Sequence, residues 1–125
     1  MTSRMSKIGA VFYVIWGLLH LKAARDVYVL ATTVPAGLAQ GRLLQSAWNL
    51  LVFALAAIIV AVWLNWKNDK VGYWANLAVV SVTDIGFILF VLVPGYVPLF
   101  PGIAGPGFWV LGAILTSVGY RSRSS

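Results

Sequence analysis

Four long apolar stretches, separated by short polar or Pro/Gly-rich segments, dominate this chain of 125 residues. They cover about residues 8–30, 43–66, 71–93 and 106–120. Crossing a bilayer as a helix takes roughly 20 apolar residues, and a helix is the spanning form that satisfies its own backbone in lipid. The second and third stretches meet that length outright. The first meets it when Lys22, Arg25 and Asp26 lie at a membrane interface. The fourth, Phe108 to Tyr120, borrows Gly105–Gly107 and lets Arg121 snorkel. The expectation is an all-α integral membrane protein, a four-helix up-down-up-down bundle, with residues 1–125 as a single transmembrane domain. Arg4 and Lys7 followed by the apolar run Ile8–Leu21 and Lys22-Ala23-Ala24 also look like a signal peptide. The retained helix is preferred because it explains the charge distribution below.

Composition agrees with burial in lipid. The chain is 61% hydrophobic and 10% charged, whereas a soluble domain has about a quarter of its residues charged. There is no cysteine, so disulfides and thiolate chemistry are excluded. One histidine and no glutamate leave Asp26, Asp69 and Asp84 as the side-chain carboxylates. A metal site is therefore not expected within one chain, and no cofactor is predicted; haem stays open only through His20. The net charge is +6, but the basic residues flank apolar segments and form no run interleaved with exposed aromatics. The expected partner is the lipid bilayer and not nucleic acid.

Arg4, Lys7, Lys67, Lys70, Arg121 and Arg123 fall on one side of an up-down-up-down bundle. Lys22, Arg25 and Arg42 fall on the other. The positive-inside rule then places both termini in the cytoplasm, in a multi-pass protein of the inner membrane. Trp63, Trp66 and Trp74 mark the inner interface, and Trp48 and Trp109 the outer one, with Lys22 and Arg25 reaching outer headgroups. The outer connector Pro94–Gly107 holds four prolines and four glycines and is expected to be irregular, packed over the bundle as an apolar cap. The segment Asn65–Lys70 reads as a short polar turn, and Asp69 has no evident role.

Helical periodicity assigns faces. Gly9, Tyr13, Trp16, Gly17, His20 and Ala24 share one face of the first span, and the face opposite, from Ile8 to Leu18, is expected to meet lipid. The stripe Arg42, Gln45, Asn49, Phe53, Ala56 and Val60 is expected inward on the second. Asn76, Val80, Thr83, Asp84 and Phe87 are expected inward on the third. The pairs Gly112/Thr116 and Ala113/Ser117 permit close approach of the fourth. At about 1.5 Å per residue from the inner lysines, His20 and Asp84 lie near 20 Å and Arg25 and Asn49 near 27 Å. His20, Arg42, Gln45, Asn49 and Asp84 are thus expected to converge as a polar cluster in the outer half. A carboxylate in hydrocarbon must be paired, protonated or facing a polar cavity, which makes Asp84 either a proton acceptor or ligand anchor, or a clamp between helices. His20 has the same two readings. No nucleophilic triad and no phosphate-cradling loop can be assembled.

Asp84, Gly86-Phe87, Leu89-Phe90 and the loop ending Gly105-Pro106-Gly107 resemble styrene oxide isomerases, small four-helix membrane enzymes that bind haem and open epoxides. Ala47-Trp48-Asn49-Leu50 is similar to their second-helix stretch. The resemblance implies the fold and carries over Asn49. It departs at the haem-ligating histidine, where this chain has Leu43, Leu44 and Gln45, and at the active-site tyrosine, where it has Ile88. The leading expectation is a membrane protein with an outer-half polar pocket for a small lipophilic molecule or a partner helix, with homo-oligomerisation open. The alternatives are an isomerase-like membrane enzyme using Asp84 and His20 as acid and base, and a structural or assembly subunit.

Overall fold

The computed structural model describes residues 4–122. Helix α1 spans Arg4–Thr32, α2 Leu38–Trp63 and α3 Lys70–Phe87, which continues as a π-helical turn over Ile88–Leu92. A one-turn α4 (Leu99–Gly102) precedes α5 (Ala104–Ser122). No strand occurs among the described residues. Among the described residues, three helical segments are long and apolar enough to cross a membrane: Arg4–Thr32, Leu38–Lys67 and Lys70–Leu92. The segment expected as a fourth span is helical but is not among them. Its 19 residues include four glycines, Thr116, Ser117 and a basic last turn.

The connections follow from local chemistry. Pro35 cannot extend α1, and Gln40 Nε2 donates to Ala31 O (3.1 Å) and Val34 O (3.2 Å), tying the start of α2 to the end of α1. Between α2 and α3, Asn68 takes the left-handed conformation (φ 58°), which asparagine tolerates better than most residues. Asp69 is the N-cap of α3 and accepts from the Val71 and Gly72 amides at 2.9 and 3.2 Å. The segment expected as a plain polar turn is therefore a built corner, with Asn65 and Asn68 buried.

The segment 94–107, expected to be irregular throughout, contains α4 and the first turn of α5. Pro106 sits in that first turn, where its missing N–H removes no helical bond.

Helix α1 packs chiefly against α2 and α5, and α3 lies against both of those. Small residues set the close contacts. A Cβ on Gly112 would lie 2.9 Å from the Tyr13 ring, and one on Gly17 3.0 Å from the Ala54 carbonyl. The core joins Ala10, Tyr13, Trp16, Ala57, Ala61 and Val80, with Val14, Phe108 and Trp109 packed against it.

The inward faces of α1, α3 and α5 are those the periodicity assigns: Gly9, Tyr13, Trp16, Gly17 and Ala24; Asn76, Val80 and Asp84; Gly112 and Thr116. The second helix is rotated from expectation. Its buried face is Ala47, Ala54, Ala57 and Ala61, while Arg42, Gln45, Asn49 and Phe53 are exposed. Between apolar helices, close backbone approach across small side chains outweighs the preference of polar groups for the interior.

Candidate functional site

Trp16 and His20 stand one turn apart on the buried face of α1. Their rings stack at 3.8 Å between centroids with 23° between planes. Across the molecule Asp84 is fully buried on α3. Trp16 Nε1 donates to Asp84 Oδ2 at 2.8 Å, and His20 Nε2 stands 3.4 Å from Asp84 Oδ1. That separation is within ion-pair reach but longer than a formed hydrogen bond. Asp84 Oδ1 is buried without a hydrogen-bond partner, as is the Tyr13 hydroxyl.

The other nitrogen of His20 decides what this contact can be. His20 Nδ1 lies 2.8 Å from the Trp16 carbonyl oxygen. A carbonyl only accepts, so Nδ1 carries a hydrogen. Nε2 then faces Asp84 either with a lone pair or with a second hydrogen. A lone pair opposed to an ionised carboxylate is repulsive. One proton between the two groups, on Asp84 or on His20, removes the repulsion and leaves the pair with no net charge. The geometry therefore suits a site that holds a single proton between a carboxyl and an imidazole. His20 is the accessible partner, with 12% of its side chain exposed, against none for Asp84. Gly105 passes over its ring, where a Cβ would come within 3.2 Å of Cε1.

Of the five residues expected to converge, the structure brings together His20 and Asp84. Arg42, Gln45 and Asn49 lie on the exposed face of α2. Arg42 donates to Gln45 Oε1 at 3.0 Å, and none of the three bonds to His20 or Asp84. Lys22 pairs with Asp26 at 2.9 Å, and Lys22 and Arg25 are both largely exposed. Trp48, Trp63, Trp66 and Trp74 are exposed. Trp109 instead turns inward and donates to Ser81 Oγ at 2.8 Å.

Sequence reading missed two groups. The first is the indole N–H of Trp16, which on periodicity alone is an apolar core residue. The second is a buried asparagine network at the opposite end. Ser6 Oγ donates to Asn68 Oδ1 (2.8 Å), and Asn68 Nδ2 donates to Gly119 O (2.8 Å). Asn76 Nδ2 donates to Asn65 Oδ1 (2.8 Å) and Ala57 O (3.0 Å). The available signal was three asparagines within twelve residues around a turn.

Among the described residues, no group of three or more His, Cys, Asp or Glu side chains is placed to hold a metal ion. No protein family, curated protein or solved structure matches the chain.

Proposed function

We propose that this is a multi-pass inner-membrane protein, a four-helix up-down-up-down bundle with both termini cytoplasmic. In this reading His20 and Asp84 anchor a small, largely apolar molecule carrying a hydrogen-bonding group. Membrane integration is supported by the three apolar helices and by outward faces bearing Leu18, Val82, Phe90 and Ile114, all more than half exposed. A soluble monomer rarely presents so much contiguous apolar surface.

The observation that carries the site is the unbonded Asp84 Oδ1 facing His20. A buried unsatisfied acceptor costs about 1–3 kcal/mol, and a clamp between helices would satisfy both oxygens. A buried, unbonded acceptor beside a partly exposed imidazole is suited to a ligand's donor or to proton exchange. An acid–base enzyme would use the same pair. The clamp reading is favoured by one fact: Trp16 and Asp84 link α1 to α3, which otherwise touch little.

Asp84→Asn separates these readings, because asparagine keeps an acceptor for Trp16 and removes the carboxyl group facing His20. The purified protein is expected to keep its unfolding midpoint and to lose lipophilic molecules that mass spectrometry detects in extracts of the wild type. Unfolding of the variant, or an unchanged extract, would sink the ligand reading. Topology is tested by labelling single cysteines introduced into the cysteine-free chain at Ala39 and Ser124. The reading requires Ser124→Cys to react only after the membrane is opened from the cytoplasmic side, and Ala39→Cys from outside.

A further inference from the structure

The outward seam between α1 and α2 carries two open apolar grooves, one toward each end of the helix pair. One, of about 370 Å³, is lined by Val11, Val14, Ile15, Val62 and Trp66 among others. The other, of about 510 Å³, is lined by Leu21, Arg25, Tyr28, Trp48 and Leu51 among others. Steps of three, four and seven residues relate the lining positions on each helix, so both grooves open on the same side of the seam.

Each groove ends at a tryptophan and a cation. Lys7 Nζ lies 5.4 Å from the centre of the Trp66 ring. Arg25 borders the other groove beside Trp48. Its neighbour Asp26 is held by Lys22 at 2.9 Å and stands 4.0 Å from Arg25, which leaves most of the guanidinium donors open to a second anion. Arg25 lies eighteen residues beyond Lys7 on α1, and Trp66 eighteen beyond Trp48 along α2 and its 3₁₀ extension. Eighteen residues of helix rise about 27 Å, close to the roughly 30 Å of a hydrocarbon core. The two cation–tryptophan ends therefore sit at headgroup levels of opposite leaflets.

Resting on the membrane reading above, we propose that this face seats one anionic phospholipid in each leaflet. An acyl chain fills each groove, with the phosphate on Arg25 at one end and on Lys7 at the other. Arginine binds phosphate through two parallel N–H bonds and lysine as a point charge. The tryptophans flank the glycerol region, where amphipathic rings settle.

Native mass spectrometry of the detergent-solubilised full chain, titrated with phosphatidylglycerol or phosphatidylcholine, tests this. The wild type is expected to retain two phosphatidylglycerol molecules in preference to phosphatidylcholine. Arg25→Gln and Lys7→Gln each weaken one of the two by about tenfold, the double variant weakens both, and Lys70→Gln, on α3 and outside the lining of either groove, changes neither. Equal retention of the two lipids, or retention indifferent to Arg25 and Lys7, overturns the proposal. A wild type that partitions into the detergent phase but retains no lipid overturns the seat and leaves the membrane reading standing. A protein that stays in the aqueous phase overturns both.

Discussion

Replacing Trp16 with phenylalanine keeps an aromatic ring stacked on His20 and deletes the indole donor that hydrogen-bonds Asp84. The hydrogen bond from Nε1 to Oδ2 is 2.8 Å long and fully buried. Its loss leaves both oxygens of Asp84 without a hydrogen bond, because Oδ1 already has none. A hydrogen bond to a charged group contributes about 1.5–3 kcal/mol, whereas bonds between membrane helices average about 0.6 kcal/mol and reach about 1.7. The bond joins an indole to a carboxyl between two apolar helices, which places it between these limits, at about 1–2 kcal/mol. The single variant mixes this with lost ring area, so the quantity to measure is the coupling in the cycle of Trp16→Phe, Asp84→Leu and the double variant. Reversible unfolding in mixed micelles, followed by circular dichroism as the denaturing detergent fraction rises, supplies the four free energies. A coupling of about 1–2 kcal/mol is expected. A value under about 0.5 kcal/mol, the scatter of independent sites, would refute the claim that Trp16 positions Asp84.

Two further substitutions probe the packing. Gly112→Leu drives a side chain into the Tyr13 ring, where even a Cβ would stand at 2.9 Å; it should lower stability by about 1–3 kcal/mol in the same unfolding assay. Asn68→Ala removes the bonds to Ser6 and Gly119 and places alanine at φ 58°, for a combined loss of about 2–4 kcal/mol. Asn68→Gly relieves the backbone and not the bonds, so it should recover about 1 kcal/mol of that loss. Equal midpoints for the two Asn68 variants would show that the left-handed conformation carries no cost.

The helices themselves were legible because their signal is long and local. Runs of apolar residues bounded by Lys, Pro and Asn locate α1, α2 and α3, although α2 begins five residues before the expected 43 and α3 passes into a π-helical turn after Phe87. Periodicity also found the inward faces of α1 and α3, since each pairs small or polar residues with a bulky apolar opposite side. It brought His20 and Asp84 to similar depth by counting rise from Lys7 and Lys70. The start of α5 was placed within two residues, but the one-turn α4 before it was missed because the prolines of the connector were taken as breakers.

What the sequence by itself determined about this protein is a set of apolar helices and the isolated buried acid on one of them. Tertiary structure decided the rotation of α2. On that helix the polar stripe and the alanine stripe are both continuous. Which one turns inward depends on whether Gly17 and Ala54 can bring two backbones together, a property of the pair and not of either helix. Tertiary structure also decided the partners of Asp84: the exposed Arg42, Gln45 and Asn49 are left out, and Trp16 is brought in. A hydrogen bond spanning two helices depends on their separation and rotation to within an ångström, and no spacing along one chain segment encodes that.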